Sequence, residues 1–208
     1  MTFCMTESGQ RDDRKEEDRM LKDLIMLNRS CRRFYQEVTI ELDTLWELVD
    51  LARLSASGGN KQALKYILSC EPEKNALIFS CLGWAGQLKD WPGPPEGERP
   101  SAHIIILGDT EISPSFSCDH GIAAQSILLG SRDIGLGGCM HASIQRDKLR
   151  KFLEIPARYE ILLAISLGKP KESVVIETID PGGDVKYWRD ANGMHHVPKR
   201  RLKDIILD

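Results

Sequence analysis

Arg29-Ser30-Cys31-Arg32-Arg33-Phe34 places three guanidiniums and a hydroxyl within six residues. Guanidiniums keep their charge at physiological pH and grip a phosphate through parallel N–H donors, and a short hydroxyl beside them adds another. Alone, the run is equally a solvated basic turn, so its meaning rests on what accompanies it. Ser55-Ala56-Ser57-Gly58-Gly59-Asn60-Lys61-Gln62 is the first companion. Its small residues let backbone approach a ligand, and Ser57, Asn60 and Gln62 supply short donors and acceptors. It is also ordinary C-cap and loop chemistry. Gly135-Leu136-Gly137-Gly138-Cys139-Met140-His141-Ala142 is the second. It follows a helical stretch, not a strand, so it is no dinucleotide fingerprint. It is either backbone able to lie against a planar ligand or a helix-to-strand turn. Lys199-Arg200-Arg201 would add cation to an anion held by Arg29 and Arg32 if the tail folds back.

Cys118-Asp119-His120 and Cys139-Met140-His141 raise a zinc alternative, but one-residue spacing is not that of zinc fingers. No Ser/His/Asp set or paired carboxylates suggest hydrolysis, and no basic–aromatic interleaving suggests nucleic-acid readout.

The elements that must position these residues follow from periodicity. Met20, Leu21, Leu24, Ile25 and Leu27 predict a helix over about 17–29. A second runs from near Thr39 to before Gly58, with Leu42, Leu45, Trp46, Val49 and Ala52 as its apolar stripe. Tyr66–Leu68, Ile104–Leu107 and Ile161–Leu167 read as strands, the last two buried by their β-branched content. Residues 72–82, His120–Asp133 and Arg146–Leu153 read as helices. Trp84 to Pro100, rich in Trp, Pro and Gly, is an irregular loop of the kind that shapes access to a site. After Pro170 the pattern dissolves into turn signals with no core of its own, and such a tail must lie on this domain or on a second subunit.

The chain divides into a charged tail (1–19), one domain (20–170) and a C-terminal arm (171–208). With 208 residues and 41% hydrophobic content it can bury one substantial core. A net charge of −3 exerts no pull toward nucleic acid or anionic membrane. No apolar run approaches the ~20 residues of a membrane span, and the start lacks the apolar region of a signal peptide. Six irregularly spaced cysteines then read as reduced thiols of a cytoplasmic protein.

Taken in order, the motifs resemble the nitroreductase family of flavoproteins over roughly residues 20–208. Arg29-Ser30-Cys31-Arg32-Arg33-Phe34 fits its Arg-Ser-x-Arg-x-Phe run, and Ser57, Asn60 and Gln62 match its Pro-Ser-x-x-Asn-x-Gln-Pro-Trp segment. Ala56, Ala63 and Leu64 depart from that segment's Pro, Pro and Trp. Gly135-Leu136-Gly137, Leu167-Gly168-Lys169-Pro170 and Pro198-Lys199-Arg200-Arg201 complete the set. The resemblance implies an α+β homodimer with a mostly antiparallel sheet flanked by helices, an arm over the partner subunit and FMN at the interface. It implies that Arg29, Ser30, Cys31 and Arg32, with Lys199 and Arg201, contact the phosphate and ribityl chain. Arg32 would also lie near the flavin N1–O2 edge. Ser57, Gly58, Asn60 and Gln62 would come from the partner, and Met140, His141 and Ala142 would lie along the isoalloxazine; Gln87 is a further edge contact. The implied activity is ping-pong transfer from NAD(P)H through flavin N5 to a nitroaromatic, quinone or flavin. Alternatives are a flavin-binding sensor or carrier, and same-fold dehalogenation or flavin cleavage.

Overall fold

The computed structural model describes residues 21–88 and 91–207. The charged tail and the first turn of the expected first helix lie outside them. Residues 21–27 form helix α1. The remaining elements, in chain order, are β1 (Phe34–Tyr35), α2 (Leu42–Leu54), β2 (Leu64–Ser69), α3 (Pro72–Phe79), β3 (Ala102–Asp109), α4 (Asp119–Asp133), β4 (Gly137–His141) and α5 (Arg146–Phe152). They are followed by β5 (Tyr159–Pro170), β6 (Val174–Ile179), β7 (Trp188–Arg189) and β8 (His195–Arg200). A 3₁₀ turn over Gly58–Asn60 joins α2 to β2.

The main sheet runs β1-β5-β3-β2 with β4 also on β5, and all its strand pairs are antiparallel. All eight residues of β3 are buried, because this strand is central and both its faces are covered. Successive side chains point to opposite faces, and they sort into two cores. Ala102, Ile104 and Ile106 pack with Leu45, Leu48 and Ala52 of α2 and Ala124, Ile127 and Leu128 of α4. Ile105 and Leu107 pack with Ile78 of α3 and Leu149 of α5. The sheet is therefore a middle layer between two pairs of helices.

β5 contains one irregularity with a structural consequence. Ile106 pairs with Leu163 but Leu107 pairs with Ile161, so Leu162 is an extra residue in the ladder. One extra residue reverses the alternation. Ile165 and Leu167 accordingly face the α2–α4 core, while Ile161 joins Ala164 on the α3–α5 side.

Two sequence expectations change here. Trp46 and Leu42, assigned to the inward stripe of α2, are 64% and 46% exposed, and Leu48 takes the inward place. Gly135–Ala142 is largely the strand β4: a Cβ on Gly138 would come within 2.6 Å of the Ser166 carbonyl oxygen, and one on Gly137 within 2.8 Å of Pro170 Cγ. Those glycines let strands close against each other. Only Gly135, at φ +76°, has the left-handed conformation of a helix end.

The tail beyond Pro170 is more ordered than its composition suggested. β6 and β8 pair in parallel and β7 joins β8 antiparallel, forming a second, small sheet. Its residues are mostly half-buried and its support comes from other segments. Lys171 N donates to Arg33 O at 2.9 Å, and Gln87 N donates to the Tyr187 hydroxyl at 3.3 Å. As far as β8, this segment makes these contacts with its own chain. Beyond it Leu202, Ile205, Ile206 and Leu207 are exposed.

Candidate functional site

The Arg29–Arg32 run lies alongside β4 at the sheet edge. Ser30 bridges Gly138 in parallel, and Cys31 N donates to Gly138 O at 2.9 Å. A cavity of about 570 Å³ opens beside this junction, lined by Arg29, Cys31, Arg132, Lys169, Asp133 and Glu172 among others. Three cations face two carboxylates there. Arg29 Nη2 donates to Ile25 O at 2.6 Å, but its buried Nε has no partner among the described residues. Burial lowers the Arg29 pKa from its usual value, as expected where charge lacks a counter-ion. Such an opening suits an anion.

Arg32 is buried, at 8% exposure, and is surrounded by the C-terminal segment. Its backbone N–H donates to Glu172, its guanidinium lies 4.8 Å from the Tyr187 ring centroid, and its Nη1 is 3.4 Å from His195 Nε2. Its Nε also has no partner among the described residues. The Cys31 thiol is pushed up to about 12, by burial first and by Glu172 second, and it donates to Arg33 O. It is thus a protonated packing group, with its backbone N–H already committed to Gly138. Arg33 turns away to Glu98 at 2.5 Å, where Lys171 adds a contact at 3.0 Å. The Arg33 bond is the main reason that the Glu98 carboxyl sits down at about 2.

The Ser57–Gln62 loop is organised by a residue that the sequence did not single out. Asp119, 8% exposed, accepts from Ser57 Oγ at 2.7 Å and from Gly58 N at 3.0 Å. Ser57 Oγ in turn accepts from Gln62 N at 3.0 Å. This clasp holds Asn60 and Gln62 at φ +52° and +53°, which costs non-glycine residues about 1 kcal/mol or more each. Both are exposed, as is Gly58. The loop sits at the Asp119 end of α4, whereas Arg132 and Asp133 at the other end line the cavity. Fourteen helical steps separate those ends, about 21 Å at 1.5 Å per residue. One chain therefore does not bring the two motifs together.

The remaining expected residues divide. Met140 is 40% exposed, and Ala142 is exposed. The His141 ring is buried, with Nδ1 3.1 Å from Gly83 O and Nε2 2.9 Å from Ser166 Oγ. Burial brings its pKa down to about 4. The acceptor carbonyl requires the proton on Nδ1, so Ser166 donates to Nε2 and can accept from His103 Nδ1 at 3.2 Å. The side chain anchors the start of the 83–100 loop. Trp84 packs edge-on against it, ring centroids 4.4 Å apart.

Lys199 and Arg201 are also not brought to the cavity. His195, at the start of β8, is near Arg32, but Lys199 is four residues further on, about 13 Å along a strand. Lys199 is exposed, and Arg201 pairs with Asp180 at 3.1 Å and Asp204 at 3.0 Å. Arg132 and Lys169 are the cations that join Arg29. Among the described residues no group of three or more His, Cys, Asp or Glu could hold a metal, and no helix is long and apolar enough to cross a membrane.

The arrangement of the sheet between paired helical layers is shared with known proteins. The model of the Nitroreductase family matches residues 100–169, which is β3 through β5. The chain has the nitroreductase fold. A nitroreductase family protein from Streptococcus pneumoniae TIGR4 superposes with a TM-score of 0.64 at 15% identity, covering 90% of this chain and 99% of that one. An FMN-dependent nitroreductase from Clostridium difficile R20291 gives 0.60 at 23% identity, covering 72% and 87%. A nitroreductase family protein from Clostridium novyi NT gives 0.60 at 23%, covering 72% and 86%. No curated protein matches the chain. The small C-terminal sheet lies outside the matched segment, and the Asp119 clasp joins a residue inside it to the Ser57–Gly58 loop outside it.

Proposed function

We propose that this protein is an FMN-dependent oxidoreductase that takes a hydride from NAD(P)H and passes electrons to an electron-poor acceptor such as a nitroaromatic, a quinone or another flavin. The observation that carries the reading is the pair of guanidiniums, Arg29 and Arg32, in the segment that bridges β4 through Ser30 in a nitroreductase fold, each with a buried N–H left unpartnered among the described residues. Those donors fit a phosphorylated, electron-rich group. When bound, FMN supplies the redox chemistry at its N5, which no side chain here can provide.

The chain's own residues bind, orient and shield. Arg29, with Arg132 and Lys169 lining the same cavity, holds the phosphate. Arg32 sets a fixed positive charge at the pyrimidine edge, where negative charge grows on reduction; burial strengthens that effect by excluding water. The exposed Met140 and Ala142 present backbone to the ring, and Trp84 with the 83–100 loop limits access. Asn60 and Gln62, about 21 Å away on the same chain by the length of α4, act on the site of a partner protomer in a homodimer. The exposed Leu42 and Trp46 of α2 supply apolar surface for that association. No proton donor is needed from a side chain, in keeping with the neutral, buried state of His141.

The test is direct. Purified protein titrated with FMN should become yellow with quenched flavin fluorescence, and anaerobic NADH or NADPH should bleach it. Initial rates against both substrates should give parallel double-reciprocal lines if the exchange is ping-pong. A chain that takes up no FMN would sink the proposal; one that binds FMN and never bleaches would leave a sensor or carrier.

A further inference from the structure

Three segments far apart in sequence meet around one buried carboxylate. Glu172, whose side chain is fully buried, receives the Arg32 backbone N–H on one oxygen and Arg189 Nη2 at 2.8 Å on the other. Arg189 reaches the 83–100 loop as well, its guanidinium 4.6 Å from the Trp91 ring centroid. Tyr187 repeats the pattern two residues earlier. Its ring supports the Arg32 guanidinium at 4.8 Å, and its hydroxyl accepts from Gln87 N at 3.3 Å. His195, with its ring 5.3 Å from that of Tyr187, is kept neutral by burial and so accepts from Arg32 without adding charge. Two guanidiniums and one carboxylate leave a net positive charge here, with the Nε of Arg32 and of Arg189 unpartnered among the described residues.

We propose that Tyr187 and Arg189 are positioning residues: from the C-terminal segment they hold Arg32 in place for the flavin edge and latch the 83–100 loop to it. The assignment rests on the FMN reading above for its purpose and on the contacts alone for its existence. Each residue has one hand on Arg32, directly or through Glu172, and the other on the loop. The arm therefore couples the electrostatics of the ring edge to the entrance that admits the acceptor.

Two variants separate the two hands. Tyr187→Phe keeps the ring beneath Arg32 and loses only the hydroxyl; Tyr187→Ala loses both. In the chain without FMN, amide hydrogen exchange at Gln87 should quicken in both variants. With FMN, Tyr187→Ala should bind the cofactor roughly fivefold more weakly, the worth of a cation–π contact near 1 kcal/mol. Its flavin midpoint potential should also fall, because a displaced Arg32 stabilises the reduced state less. Tyr187→Phe should retain affinity and potential while the acceptor KM shifts and kcat does not. Unchanged exchange at Gln87 in both variants overturns the latch. Quickened exchange with wild-type FMN affinity and potential in Tyr187→Ala overturns the positioning role. Failure of the wild-type chain to bind FMN is a separate outcome, and it removes the flavin half of the assignment together with the function above.

Discussion

The Asp119 end of α4 and the Asp133 end both gather polar side chains from loops that lead to the candidate site, yet they treat burial in opposite ways. At the first, one carboxylate is met by the Ser57 hydroxyl and the Gly58 amide, and the loop it holds carries two residues in left-handed conformation. At the second, Arg29, Arg132 and Lys169 share a cavity with fewer carboxylates, and Arg29 keeps a buried N–H without a partner among the described residues. An internally satisfied cluster does its work by fixing shape. An unsatisfied one stores an interaction that only a ligand can complete. The difference gives one end of the helix a preorganised loop and leaves the other with donors suited to an anion.

The largest effect should come from breaking the satisfied end. Asp119→Ala strands the Ser57 hydroxyl and the Gly58 amide and should cost about 3 kcal/mol of stability in urea unfolding. A loss within experimental error would mean that the clasp does not hold the loop. Removing the unsatisfied cation should do the reverse. Arg29→Ala should leave unfolding nearly unchanged but weaken FMN binding by roughly 1.5–3 kcal/mol in a fluorescence titration. Equal affinity in the variant would take the phosphate away from this end.

Buried groups that are already partnered give a third test, read by acid. His141 and His103 lie in the folded protein at about 4 and about 3, both mainly through burial and below their usual 6.5. The unfolded chain therefore takes up protons first as pH falls. Stability should drop below pH 6.5 and continue to do so until the folded values are reached, by on the order of 1 kcal/mol per histidine between pH 6.5 and 5.5. His141→Gln should flatten that slope, and an unaltered slope would place the acid sensitivity elsewhere. Smallest of all should be Arg201→Ala. Its pairs with Asp180 and Asp204 are largely solvent-facing, so stability and FMN affinity should each change by less than about 1 kcal/mol. A loss as large as that of Arg29→Ala would return the tail cations to the phosphate.

Much of the scaffold was legible because apolar periodicity is a local signal. The strands around Ile104–Ile106 and Ile161–Leu167, and the helices from Leu42, Pro72, Asp119 and Arg146, fall close to where alternation and helical spacing put them. Trp46 was misread because a stripe buried in a core and one left for another surface have the same spacing. The small C-terminal sheet escaped because β8, His-His-Val-Pro-Lys-Arg, is polar, and a strand that pairs in parallel with β6 and antiparallel with β7 shows no apolar alternation of its own. At the site, Arg29 and Arg32 announced themselves by residue type and spacing. Asp119, Glu172, Tyr187 and Arg189 did not, since a single carboxylate or aromatic acquires a role only when the fold selects its neighbour. His141 shows the converse: residue type and spacing drew attention to it, but strand alternation and a burial site beside Ser166 turned its ring inward.

The extra residue at Leu162 has a consequence for how this fold tolerates change. Upstream and downstream of it, β5 obeys two different rules about which side chain faces which helical layer. Deleting that one residue would leave the sequence almost untouched and yet exchange the two sides for one half of the strand, sending Ser166 toward a hydrocarbon layer or Leu167 away from it. Substitutions along β5 are thus absorbed locally, whereas a change in its length by one is a change in the chain's inside and outside.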